Sequence, residues 1–199
     1  MRAIVDARTG LAVKAVISSR PEAAGLAWAR AQGIATRVVD PHESPTREAH
    51  DARLAEAIDE CSPDLVLLAG YMRILTDDFV RRYERRMLNI HPSLLPAFPG
   101  LDTHRRALQA GVKLHGATVH VVTPKLDDGP IVIQGAVPVL ADDTEDTLAA
   151  RVLRVEHRIY PQAVRWFLED RIDFTAGDVV RVRRAVATDD WIAAPRDLE

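Results

Sequence analysis

The chain has 199 residues, is 47% hydrophobic and 28% charged, and carries a formal net charge of -3. That length and composition suit one soluble domain with a buried core, expected over 1–199, and the weakly acidic balance argues against nucleic acid or an anionic membrane as partner. One cysteine, Cys61, excludes an intrachain disulfide, and the longest unbroken apolar run, 65–69, is far too short to span a bilayer.

In chain order, residues 2–8 read as the last turns of a helix closed by Gly10. Asp6 and Arg8 follow Met1 without a long apolar stretch, so no signal sequence is expected and a cytoplasmic setting is. Residues 13–19 read as a buried strand, and Pro21 opens a helix with Ala24, Trp28 and Ala31 on one side, ended by Gly33. A strand over 34–39 and a loop over 41–45 lead to Thr46, which caps a helix with apolar positions Ala49, Leu54, Ala57, Ile58 and Cys61. Cys61 therefore reads as a structural thiol. Residues 65–69 form a third strand, 76–83 a short helix and 87–90 the next strand. The arginines 81, 82, 85 and 86, interrupted by Glu84, read as a solvated helix face. A helix over 103–110 ends at Gly111, and two longer extended runs, 117–122 and 131–139, suggest an antiparallel extension with Pro138 at an edge. Asp143 or Thr144 begins a long helix to about Leu168, 179–183 reads as a last short strand, and the tail from 187 shows no pattern.

Apolar strands alternating with helices predict an α/β fold, doubly wound, with a mostly parallel sheet and an antiparallel C-terminal extension. In such folds ligands bind outside the carboxyl ends of the strands. Asn89–His91 ends one strand at Pro92, and Gly70, Tyr71, Met72 and Arg73 follow another.

An Asn and a His two positions apart at a strand end offer an amide donor and a proton-moving imidazole, the pair that acyl transfer needs. Asp127, in the turn between the two long strands, is placed to face His91 and favour its charged form. Blander roles stay open: Asn89 as an end cap, His91 as a core histidine. Ser93 next to His91 is a weak nucleophile signal. His91, His104, His115 and His120 are a further option as metal ligands, without the helical i, i+4 spacing, and no complete P-loop or G-x-G-x-x-G is present.

The segments AGLAWARAQGIAT, LVLLAGYMRIL, LNIHPSLLPAFPGLDTH, HGATVHVV, LDDGPIVIQ and EHRIYP resemble the phosphoribosylglycinamide formyltransferase family, folate-dependent enzymes of purine synthesis. The resemblance runs from residue 1 to about residue 175. It implies transfer of the formyl group of 10-formyltetrahydrofolate to the amine of glycinamide ribonucleotide, with no metal, by a monomer or homodimer. It implies Asn89, His91 and Asp127 as catalytic residues: Asn89 binds the formyl oxygen, His91 stabilises the oxyanion and shuttles a proton, and Asp127 raises the pKa of His91. Met72, Arg73, Ile74 and Leu75 match the loop that holds the pterin, Arg47 meets the folate's acidic tail, and the loop from Thr123 to Asp127 closes over the pterin. Glu156 matches the carboxylate that binds the ribose hydroxyls. Pairing of Glu156 with Arg154 or Arg158, and a purely local role for Arg47, remain alternatives.

Family members begin with a strand and a G-x-G-S-N type loop that binds phosphate with backbone amides at a helix N-terminus. Met1 falls inside the region matching the following helix, so that strand and loop are expected to be missing, and the chain as written is expected to bind the ribonucleotide poorly. A formyltetrahydrofolate deformylase-like hydrolase resembles the same site with water as acceptor, and a non-catalytic folate-binding remnant is the reading from outside enzymology. Methionyl-tRNA formyltransferase shares the Asn-x-His region but needs a further tRNA domain.

Overall fold

Thr46, Thr76 and Thr144 each precede an acidic first turn, and each becomes a helix cap. Their hydroxyls accept from the backbone N–H three residues on, at 3.1, 3.4 and 3.2 Å. At Thr144 the side chain of Thr147 completes a reciprocal capping box. The computed structural model describes residues 1–7, 10–176 and 179–185. Its elements are α1 (Arg2–Asp6), β1 (Ala15–Ser18), α2 (Ala24–Ala31), β2 (Ala35–Val38), α3 (Arg47–Asp59), β3 (Val66–Leu68), α4 (Asp77–Arg82), β4 (Met87–His91), α5 (Thr103–Ala110), β5 (Leu114–Val121), β6 (Ile131–Pro138), α6 (Glu145–Leu168), β7 (Ile172–Ala176) and β8 (Val179–Val182). A 3₁₀ turn, Pro41–Glu43, precedes α3.

This is the α/β alternation the sequence predicts, with parallel pairing first and antiparallel pairing after. β1 pairs parallel with β2, and β3 parallel with β4. β5 and β6 then extend the β3–β4 pair antiparallel, in the order β3-β4-β5-β6, and Pro138 ends the edge strand β6. Two apolar layers cover this sheet. Leu88, Ala117, Val119 and Val121 pack with Leu148, Val152, Tyr160 and Val164 of α6. Met87 packs on the other face with Leu54 and Ile58 of α3 and Phe79 of α4. The Tyr160 hydroxyl reaches the carbonyls of Leu68 and Leu88 at 2.8 and 3.0 Å, tying α6 to β3 and β4.

Several local expectations are corrected. α2 buries Leu26 and Ala29 rather than the Ala24 side. An alanine-rich helix offers two similar faces, and the larger Leu26 decides between them. α3 buries His50 and Asp51 beside Leu54, Ala55 and Ile58, which apolar periodicity does not register. β1, expected to be buried, is only half-buried, as is β3, and each has one strand neighbour among the described residues. β7 has no counterpart in the sequence reading, because Asp173 and Thr175 interrupt its apolar pattern; it pairs with β8. Residue 8 of the first expected helix and the tail from 187 lie outside the described residues.

β5 and β6 approach closely at Gly116, where an added Cβ would collide with the Gly135 carbonyl and the Leu94 side chain. On the neighbouring position His115 is 1% exposed, its ring edge-on to those of His104 and Phe98 at 5.4 and 5.8 Å. Burial, then the neighbouring His104, pushes the His115 imidazole down from 6.5 to about 4. Burial lowers His104 and His120 as well.

Gly116→Ala is expected to cost about 2 kcal/mol or more of stability, read from urea unfolding, because backbone must move to admit the methyl group. Between its folded value of about 4 and its unfolded value near 6.5, His115 binds a proton only in the unfolded chain, so stability falls as pH drops through that window. Unfolding curves at about pH 7 and about pH 5 should show this loss, and His115→Phe should reduce it.

Candidate active site

Strand β4 reads MLNIH, apolar until it delivers Asn89 and His91 to its carboxyl end. Positions two apart share a face, so both side chains leave the strand on the same side. The antiparallel register with β5 places His120 opposite Asn89 and Thr118 opposite His91. Four polar side chains thus line one face at the junction of β4 and β5.

Asp127 closes the group from the β5–β6 turn. Its backbone is left-handed (φ 49°), a conformation that Asp tolerates better than most residues. Gly129 follows in the same turn because a Cβ there would run into the Val121 carbonyl. The Asp127 carboxylate lies 3.4 Å from His91 Nδ1 and 3.8 Å from His120 Nε2, and accepts the Gly100 backbone N–H at 2.8 Å. The His91 and Asp127 side chains are each 7% exposed.

Hydrogen-bond partners settle the proton positions. His91 Nε2 lies 3.0 Å from the Phe98 carbonyl, which can only accept, so this nitrogen carries a proton. The other ring nitrogen, Nδ1, faces the Asp127 carboxylate. Asn89 Nδ2 donates to His120 Nε2 at 3.1 Å, while His120 Nδ1 donates to the Val121 carbonyl at 3.1 Å. His120 is therefore neutral, as burial requires. One hydrogen of the Asn89 amide remains free for a ligand.

The loop after β4 is pinned from below. Thr118 Oγ1 donates to the Ser93 carbonyl at 2.7 Å and accepts the Leu95 N–H at 3.0 Å, and Gln134 Nε2 donates to the Leu95 carbonyl at 2.8 Å. Ser93 is fully buried and its hydroxyl donates to the Ala97 carbonyl at 2.6 Å, so it serves the loop and is no nucleophile.

The remaining sequence-predicted residues surround this group to different degrees. Leu68 of β3 lies opposite Asn89, so the chain leaving β3 through Gly70 (φ 67°) runs beside the site. There Leu75 is buried while Met72 and Ile74 are 76% and 58% exposed, and Arg73 is exposed. Thr123 Oγ1 donates to the Lys125 carbonyl, holding the start of the Asp127 turn. Arg47 sits in the first turn of α3, half-exposed and 3.8 Å from Glu48. Glu156 on α6 is pushed up by burial and drawn back by the Met1 ammonium. Neither Arg47 nor Glu156 belongs to the hydrogen-bonded group. The four histidines weighed as metal ligands separate into His91 with His120 and His104 with His115, and among the described residues no cluster of three or more His, Cys, Asp or Glu is placed to hold a metal.

Sequence reasoning missed His120 as a partner of Asn89 and Asp127, the Gly100 amide, the Phe98 carbonyl and the Thr118 peg. Period-2 alternation puts Thr118 and His120 on one face, but which β4 residue each opposes depends on a register that the long connection between the strands leaves unset.

The chain matches the formyl transferase family over residues 2–164. It is 48% identical over 176 residues to phosphoribosylglycinamide formyltransferase of Escherichia coli (strain K12), covering 86% of this chain and 83% of that protein. Its fold superimposes with a TM-score of 0.87 on glycinamide ribonucleotide transformylase 1 from Symbiobacterium toebii, at 49% identity over 91% of this chain and 87% of the other. Phosphoribosylglycinamide formyltransferase from Brucella melitensis follows at a TM-score of 0.78, 54% identity and coverage of 83% and 85%. On the strength of that match and of the Asn89, His91 and Asp127 cluster beneath it, the chain belongs to the formyl transferase family.

Proposed function

We propose that this chain transfers the formyl group of 10-formyltetrahydrofolate to the amine of glycinamide ribonucleotide. The observation that carries the reading is the meeting of Asn89, His91 and Asp127, from two different segments, at the carboxyl end of β4. High identity to phosphoribosylglycinamide formyltransferases over most of the chain supports it.

Formyl transfer needs attack by an amine on the formyl carbon, a place for the negative charge that collects on the formyl oxygen, and a proton for the departing folate nitrogen. Asn89 offers its free amide hydrogen to that oxygen. His91 can give a proton to that oxygen, or on to the leaving nitrogen, once its Nε2–H turns from the Phe98 carbonyl to the ligand. Asp127 holds the imidazole in place and would compensate the charge it carries whenever it is protonated, in a largely water-excluded setting. His120 keeps the Asn89 amide oriented by accepting one of its hydrogens. A donor of the Asn89 kind contributes about 3 kcal/mol to the transition state, and holding two substrates together contributes more.

The loop of Met72, Arg73, Ile74 and Leu75 fits a flat pterin, with apolar side chains in the open and backbone groups beside the strand end. Arg47 suits the acidic tail of the folate, Thr123 and Asp127 the turn that covers the pterin, and Glu156 the ribose hydroxyls. The substrates are small molecules, and no helix among the described residues is long and apolar enough to cross a membrane.

Incubation of the purified chain with both substrates should yield formylated ribonucleotide and tetrahydrofolate. Formate in place of the formylated product would mark a hydrolase, and folate binding with neither product a non-catalytic remnant. Asn89→Ala and His91→Ala should each lower kcat by about a hundredfold or more with the fold intact by circular dichroism. A variant with normal turnover would remove that residue from the mechanism.

A further inference from the structure

A second buried histidine–carboxylate pair lies outside the reaction centre. His50 and Asp51, on the inner face of α3, are 1% and 3% exposed. Burying two such groups costs free energy that well-packed apolar side chains would not, so their role is sought in what they hold. Asp51 Oδ2 accepts the Thr76 backbone N–H at 2.7 Å. Its other oxygen lies 3.3 Å from His50 Nδ1, and His50 Nε2 donates to the Val39 carbonyl at 3.2 Å. A continuous polar chain thus runs from the end of β2, through α3, to the start of α4.

Thr76 is the residue that follows the Met72–Leu75 loop. Its hydroxyl already caps α4 through the Phe79 N–H. In a capping box the third helical residue would return the favour by accepting the cap residue's own N–H. Here that residue is Phe79, which has no acceptor, and Asp51 supplies one from a different helix. At the other end of the loop Tyr71 is half-buried, and burial together with the Asp51 charge pushes its hydroxyl up to about 12. Between those ends Met72, Arg73 and Ile74 stand in solvent, so the polar anchor and the buried Leu75 beside it fix the loop's path.

We propose that Asp51, steadied by His50, is the positioning residue for the 70–76 loop, setting affinity for the folate co-substrate without taking part in the chemistry at Asn89 and His91. The inference rests on the folate reading of that loop. Its physical content is that one buried carboxylate holds a backbone amide which local sequence leaves without an acceptor.

The test compares wild type, Asp51→Ala, Thr76→Pro and Thr76→Ala. Thr76 has φ -72°, which suits proline, so Thr76→Pro deletes the N–H while Asp51 stays in place, and Thr76→Ala controls for the lost hydroxyl cap. Asp51→Ala and Thr76→Pro should raise KM for 10-formyltetrahydrofolate by about tenfold or more, with kcat and KM for glycinamide ribonucleotide within about twofold of wild type and of Thr76→Ala. Hydrogen exchange across 70–76 should quicken in both and stay slow in Thr76→Ala. An unchanged folate KM, or equal rises in both KM values, overturns the proposal. If the wild type transfers no formyl group, the function reading falls, and tetrahydrofolate binding by calorimetry decides this one. Weaker binding with faster loop exchange sustains it, and unchanged binding or exchange ends it. If Asp51→Ala fails to fold, Thr76→Pro alone carries both readouts.

Discussion

One carboxylate holds the site together. Asp127 stands almost out of water, and a buried negative charge persists only where charge and hydrogen bonds compensate it. It finds them in the His91 ring and in the Gly100 backbone N–H, with the neutral His120 ring standing 3.8 Å away. The same contacts that satisfy Asp127 bring β4, the loop behind it and the β5–β6 turn into register. Chemistry and architecture meet at that oxygen pair. The group that faces His91 also closes the loop behind it.

The sheet explains why such a cluster is possible. Parallel β3 and β4 send their following loops out of one edge, and antiparallel β5 returns along β4 with His120 and Thr118 opposite Asn89 and His91. One face of these strands is sealed by α6, whose Tyr160 hydroxyl reaches the β3 and β4 carbonyls, and the other is covered by α3 and α4. Asn89 and His91 therefore sit at the end of a packed layer. Only loops separate them from solvent, an arrangement that lets a small ligand approach a preorganised donor set.

Asp51 repeats the device on the neighbouring loop. Both aspartates are buried, both lie beside a histidine, and each accepts a backbone N–H from a loop that borders the strand ends, Gly100 in one case and Thr76 in the other. A side-chain anchor of this kind fixes a loop without filling the space the ligand needs, as apolar packing would. Formyl transfer requires two substrates held against each other, and positioning on this scale costs little once the loops are already in place.

Much of this was legible in the residues. Threonine caps followed by acidic first turns, left-handed glycines after helices and apolar strands bounded by proline marked nearly every element, because these signals act within a few residues of chain. Asn89 and His91 were legible for the same reason: strand alternation places them together whatever the rest of the molecule does. Asp127 was recognisable by its polar turn, and its contact with His91 was an expectation only. The register of β5 on β4, the partnership of His120 with Asn89, the Phe98 and Gly100 backbone contacts and the burial of His50 and Asp51 came from tertiary structure alone. All but the Phe98 contact join segments far apart in sequence, so their energy depends on how layers pack rather than on any local preference of the residues involved.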